Sequence, residues 1–177
     1  MKNYDSFLLF DRFIAESETG KRVYTILQLR LHPNVVALKE MASNADKNTK
    51  FEVDLKYITS RGNWYSFSWK GDLNKSGGIA TNIGVHFFDM LIWVFGDVIE
   101  NRVDYHSPNK AAGYLRLENA NINWQLSIDE NDLPDVVKVS GKRTFRSTLI
   151  DGEAFEFSDG FTDLHTACYE KIIAGEG

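Results

Sequence analysis

The chain has 177 residues, 43% of them hydrophobic and 13% aromatic, with a formal net charge of -5. That composition supplies a packed core, and a charged fraction of 25% with 3 prolines excludes a disordered polymer. The acidic balance (sequence pI near 5.4) argues against non-specific binding to nucleic acid or an anionic membrane surface, so an anionic ligand has to be met by a local group of cations.

In chain order, the first predicted element is an amphipathic helix over residues 4–17, with Phe7, Leu8, Phe10, Phe13 and Ile14 near a 3.6 period and Gly20 as its stop. Residues 23–31 are rich in β-formers and read as a strand buried on both faces. His32-Pro33-Asn34 breaks it, and residues 35–42 read as a helix. Residues 51–60 alternate as a strand with one covered face, followed by the polar and aromatic turn Arg61-Gly62-Asn63-Trp64-Tyr65. Gly77-Gly78 precedes the most strongly helical stretch, residues 80–95, closed by Gly96.

Beyond Gly96 the pattern changes to short strands over residues 98–105, 111–117, 121–128, 135–140, 143–150 and 154–157, separated by Asn, Asp, Gly or Pro. A last helix is expected over residues 161–174. The sum is an α+β fold: one large, mostly antiparallel, open-faced sheet with helices on one side, in a single domain spanning residues 1–177. No stretch approaches the roughly 18 apolar residues of a membrane span, and the polar start Met1-Lys2-Asn3-Tyr4-Asp5 is unlike a signal peptide. The cytoplasm is the expected compartment. The lone Cys168 permits no internal disulfide and reads as a partly buried small residue.

Four stretches carry chemistry. Asn82, His86 and Asp89 fall at i, i+4 and i+7 of the predicted helix and share one stripe, while Ile83, Phe87, Met90, Leu91 and Val94 form the core stripe. Imidazole titrates near neutrality, so His86 is a candidate general base; a His–Asp pair that only ties the helix to the sheet is the competing reading. Gln28, Arg30 and His32 recur at period two and would project from one strand face, with Arg30 able to fork onto a carboxylate or phosphate, or onto an acidic side chain of the fold. Arg61, Trp64, Tyr65, Trp69 and Lys70 place rings beside cations, which suits a uracil or sugar face next to phosphates; core packing competes for Trp69. In Thr162-Asp163-Leu164-His165, Thr162 resembles a helix cap.

Taken together and in order, these stretches resemble the C-terminal domain of the Gfo/Idh/MocA oxidoreductase family. Gly77-Gly78 followed by Asn82-Ile83-Gly84-Val85-His86-Phe87-Phe88-Asp89 looks like that family's Gly-Gly and Asp-x-Gly-x-His-x-x-Asp helix. The runs 23–33, 61–65, 69–70 and 160–165 resemble its UDP-N-acetylglucosaminuronate 3-dehydrogenase branch, which serves O-antigen and related lipopolysaccharide synthesis. Asn82 stands where most of the family has aspartate, a change the branch often shares. An amide orients a substrate but relays no proton.

The resemblance implies that the full enzyme oxidises the C3 hydroxyl of a UDP-linked N-acetylglucosaminuronate with NAD or NADP. His86 would serve as acid/base and Asn82 would position the sugar. Gln28 and Arg30 would line the sugar site, with Arg30 a candidate partner for the uronate carboxylate, and Arg61, Trp64, Tyr65 and Lys70 would hold the uridine diphosphate. It also implies an N-terminal Rossmann domain that carries a catalytic lysine. No Gly-x-Gly-x-x-Gly follows a strand here. The chain is therefore expected to be a fragment of a two-domain enzyme, without that domain, inactive alone and binding no cofactor or metal by itself. A homo-oligomer formed through the sheet face is expected, with a separate Rossmann domain as a further partner. A non-catalytic binding or assembly module of the same fold, or a different Gfo/Idh/MocA sugar dehydrogenase, are the alternatives.

Overall fold

A computed structural model describes residues 14, 16–46, 48–62, 64–157 and 162–176. The expected first helix falls largely outside them; residues 16–19 are helical. Leu27–Leu164 form one compact unit and the residues outside it a second. The last helix, Leu164–Ile173, begins one turn later than expected; in the second unit it carries Cys168 half-buried as a free thiol. Burial pushes that thiol above its ordinary range. Alkylation of Cys168 at neutral pH is accordingly expected to run slower than that of a free cysteine, as a thiol titration would record; an equal rate would remove the burial argument.

The larger unit is built on a six-stranded sheet. Its strands are β1 (Phe51–Thr59), β2 (Val98–His106), β3 (Lys110–Leu117), β4 (Ala120–Ser127), β5 (Thr144–Ile150) and β6 (Glu153–Ala154), in the spatial order β2-β3-β4-β1-β5-β6. β2, β3 and β4 form the expected meander, and β1 and β5 pair antiparallel. At the centre β1 and β4 run parallel, with Val53 opposite Ile122 and Leu55 opposite Trp124. The chain returns to β1 only after crossing over the sheet, and the intervening helices are what that crossover requires.

Alternation decides which face is covered. Phe51, Val53 and Leu55 are buried while Glu52, Asp54 and Lys56 are exposed, and Ala120, Ile122, Trp124 and Leu126 line up behind them. Helix α1 (Pro33–Asn44) covers part of this face through Val35, Leu38 and Ala42; Pro33 opens it, and the buried His32 caps it by accepting the Asn34 N–H at 3.2 Å. After β1 come the short helices α2 (Trp64–Phe67), α3 (Leu73–Ser76) and α4 (Gly78–Asn82), then α5 (Gly84–Phe95). Gly77, with φ +71°, makes the left-handed joint between α3 and α4. Helix α5 buries Phe87, Met90, Leu91 and Val94, the i, i+3, i+4, i+7 set of an apolar stripe. Among the described residues no single helix is long and apolar enough to cross a membrane, and the bent pair that passes by length is the core-buried one ending in α5.

The opposite face is open and polar. Its side chains pair across strands: Arg116 with Glu100 at 3.3 Å, the Arg102 guanidinium over the Tyr114 ring at 5.2 Å, the Tyr114 hydroxyl donating to Asn121 at 2.9 Å, and Asn121 donating to Glu52 at 2.6 Å. Such cross-strand pairs hold the register from the solvent side.

Three expectations need correction. Residues 23–31 are not a strand: residues 21–27 have no regular structure and Gln28–Leu31 is a 3-10 turn. A strand exists only against a paired neighbour, and among the described residues none of the six strands pairs with this segment. Residues 135–140 are also not a strand but the helix α6 (Asp135–Val139). Pro134 fixes the chain at its start, Asp135 sits in the first turn, and Lys138 lies 3.7 Å from that carboxylate at i+3. Val136 and Val139, which suggested a strand, are exposed. Finally, the single helix expected over residues 80–95 is broken at the buried Ile83, and the segments on either side meet at 46°.

Candidate functional site

The break in the helix lines a cavity of about 400 Å³. Its walls come from the covered face of the sheet (Tyr57, Arg146), the α4–α5 bend (Asn82, Ile83, His86, Phe87), the 3-10 turn (Gln28, Leu29) and the segment after β1 (Arg61, Trp64, Tyr65, Lys70). That volume and this mixture of rings with a few polar groups are those of a small-molecule site.

Gln28, Arg61, Trp64, Tyr65, Lys70, Asn82 and His86 are therefore gathered in one place. Asn82 donates from Nδ2 to the Tyr65 hydroxyl at 3.1 Å, which ties the helix bend to the segment after β1. Tyr65 is buried, and Trp64, edge-on to it at 5.8 Å between centroids, is exposed at the rim. Lys70 lies over the exposed Trp69 ring at 5.9 Å, so core packing does not explain Trp69. His86 is half-buried on the first turn of α5. Among the described residues the Gln28 Oε1 is buried without a hydrogen-bond partner, and a buried acceptor in that condition calls for a donor.

Arg30 is the exception. It does not line the cavity. Its guanidinium grips the Asp89 carboxylate with two hydrogen bonds, Nε to Oδ2 at 2.8 Å and Nη2 to Oδ1, and Asp89 raises its already high pKa further. The reason is the local geometry. In a strand Gln28 and Arg30 would share a face, whereas in a 3-10 turn, at three residues per turn, they diverge. Gln28 goes to the cavity and Arg30 to helix α5; His32 goes to the core as a cap. Asp89 thus belongs to a clamp between the 3-10 turn and α5.

Replacing Asp89 with Asn should cost about 1 kcal/mol of stability, since Arg30 is half in solvent. It should also loosen Gln28 more than His86. Chemical denaturation with amide exchange at both positions would check this, and equal protection in the variant and the parent would contradict the clamp.

Two cavity residues with polar groups, Tyr57 and Arg146, were not among the site residues expected from the sequence. Tyr57 has its ring 4.9 Å from that of Phe87. Arg146 stands opposite Tyr57 in the register of β5 with β1. The signal for it was available: Arg146 is in phase with the buried Thr148 and Ile150, a cation pointing to the covered face. His165, by contrast, is exposed in the other unit, and Thr162 lies one residue too early to cap a helix that starts at Leu164. Among the described residues no group of three or more His, Cys, Asp or Glu side chains could hold a metal ion.

Comparison with known families decides what carries this cavity. Residues 48–132 match the Gfo/Idh/MocA family model described as "Oxidoreductase family, C-terminal alpha/beta domain". The chain carries the C-terminal domain of the Gfo/Idh/MocA oxidoreductases. Two crystal structures of the WlbA (WbpB) dehydrogenase from Thermus thermophilus are similar to it. One, in complex with NAD and α-ketoglutarate, is 53% identical at a TM-score of 0.84, over 92% of this chain and 52% of that one. The other, in complex with NAD and UDP-GlcNAcA, is 50% identical at 0.85, over 94% and 53%. The WlbA dehydrogenase of Bordetella pertussis, at 17% identity and a TM-score of 0.67, shares the fold. This Gfo/Idh/MocA domain spans about half the length of the Thermus relative.

Proposed function

We propose that this chain supplies the substrate-binding and proton-transferring half of an NAD-dependent sugar-nucleotide dehydrogenase, acting at C3 of a UDP-linked N-acetylglucosaminuronate. The observation that carries the reading is the convergence of Gln28, Arg61, Trp64, Tyr65, Lys70, Asn82 and His86 on one cavity, together with 50% identity to a dehydrogenase crystallised with NAD and UDP-GlcNAcA.

In this reading His86 accepts the proton of the hydroxyl that becomes a ketone and returns it in the reverse direction. Asn82, held by Tyr65, orients the sugar, and the Gln28 carbonyl oxygen accepts from a ring hydroxyl. Trp64 and Tyr65 present ring surface to the uracil, and Arg61 and Lys70 meet the diphosphate. The residues present do not fit the dinucleotide itself: there is no Gly-x-Gly-x-x-Gly turn to cradle its pyrophosphate. What the chain contributes is binding, orientation and the proton acceptor.

Calorimetric titration of the chain with UDP-N-acetylglucosaminuronate, UDP and the free sugar acid tests this. The sugar nucleotide is expected to bind more tightly than either part; no binding by any of them would sink the proposal. Mixed with NAD and the sugar nucleotide, the chain alone is expected to yield no reduced nicotinamide, and absorbance from it would show that the 177 residues suffice. We further propose self-association through the open sheet face and the uncovered strand β2, whose Val98, Ile99, Val103 and Tyr105 are all exposed. Light scattering should give more than one chain per particle, and a monomer at high concentration would exclude it.

A further inference from the structure

Two apolar features of the larger unit face outward and carry opposite charge. The first is a groove of about 740 Å³ between helix α1 and the β5–β6 hairpin. Leu38, Phe51, Ile150 and Phe155 form its floor, and Met41, 49% exposed, stands at its edge. Asn34 Nδ2 donates to the Glu156 carbonyl at 2.7 Å and the Asp151 carboxylate accepts the Glu52 N–H at 2.8 Å, which fixes both walls. Asp151 and Glu153 lie on the exposed rim, and no lysine or arginine is among the described lining residues. An acidic rim over an apolar floor repels a sugar nucleotide and suits an apolar side chain flanked by cations.

The second feature is helix α6. Its Val136 and Val139, at i and i+3 on one side, are 75% and 89% exposed. Valine is a poor residue for an outward helix position, where its branched side chain loses rotamer freedom and gains no burial. Cations follow the two valines: Lys138, Lys142 and Arg143 are all exposed, and residues 138–146 hold no acid in a chain of net charge -5. Groove and helix lie at opposite ends of β5, which begins at Thr144 just after α6 and ends at Ile150 in the groove. At about 3.3 Å per residue they are roughly 20 Å apart, so a chain cannot fill its own groove.

We infer that helix α6 of one copy seats Val136 and Val139 in the groove of the next copy, with Lys142 and Arg143 against Asp151 and Glu153. The contact joins two different surfaces, so each added copy leaves one groove and one helix open, and the assembly grows as a filament or closes as a ring. Sheet face against sheet face, by contrast, stops at a pair. The head-to-tail contact is therefore separate from that association, and it does not depend on the sugar-nucleotide reading.

Sedimentation velocity of the whole chain over rising concentration is expected to give a mean mass that grows past the pair and falls back in about 0.5 M salt, where the ion pairs are screened. Val136→Lys with Val139→Lys removes the helix surface, and Met41→Lys blocks the groove. Either should end the growth and leave the unfolding midpoint and the affinity for UDP unchanged. Mixed together, the two variants should regain one junction, because the first keeps its groove and the second its helix. That junction is expected to be at least about tenfold tighter than either variant with itself, the worth of a buried valine side chain. Glu153→Lys takes the place of Met41→Lys if the latter does not fold. A parent that never grows past the pair, variants that associate as the parent does, or a mixture without gain would each overturn the contact. Growth lost in the groove variant but kept in the helix variant gives the groove to another occupant and overturns it as well.

Discussion

Truncating Phe95 to alanine is expected to lower the stability of the chain by about 3–5 kcal/mol, the cost of a large cavity in a core that cannot collapse around it. Phe95 is fully buried at the end of α5, with its ring 5.4 Å from that of Phe51 on β1. Its carbonyl accepts the Asn119 N–H at 2.9 Å, in the turn between β3 and β4. The same residue therefore fastens the end of the cavity-bearing helix to three strands. Urea denaturation of the parent, Phe95→Ala, Phe51→Ala and the double variant would measure the effect and the coupling. A loss below about 1 kcal/mol would mean that the ring has found a new filling.

The second large effect is expected from a single added methyl group, Gly113→Ala. A Cβ at Gly113 on β3 would stand 2.2 Å from the Arg102 carbonyl oxygen of β2 and 2.7 Å from the Trp124 ring of β4. The nearer obstacle is backbone, so it yields only if β2 moves. Overpacking of this kind costs roughly 1–3 kcal/mol, and the immobility of the obstacle puts Gly113→Ala toward the upper end. The ladder is already irregular there, with a register shift between Val103 and Tyr105. The damage should be local, with amide protection lost along β2 and kept along β1 and β5. A variant as stable as the parent, with β2 still protected, would show that the strand tolerates the displacement.

How much of this could be read from the sequence depended on how local the cause was. The strands β1, β3 and β4 and the core stripe of α5 follow from alternation and periodicity, which each segment carries within itself. Residues 23–31 carry an equally good alternation and fail, because a strand needs a partner that its own residues cannot specify. Residues 135–140 failed the other way: the two valines suggested a strand where Pro134 and Asp135 had already started a helix. Among the residues lining the cavity, His86, Asn82, Arg61, Trp64, Tyr65 and Lys70 were singled out through side-chain chemistry and the family resemblance. Arg30 was misplaced because its direction hung on the wrong secondary structure, and Arg146 was passed over because a cation in a strand drew no attention until β1 put Tyr57 across from it.

The break at Ile83 has a consequence for how such a domain can diversify. In an unbroken helix an amide at position 82 and an imidazole at position 86 would stack along one side, one turn apart. The bend sets their mutual angle instead, as a property of the main chain anchored in the core. Side chains at the rim can then be exchanged, and a different ligand admitted, without re-aiming the two groups at the bottom. Lineages that change their ligand are expected to vary at positions such as 61, 64, 70 and 146 and to hold the joint itself constant.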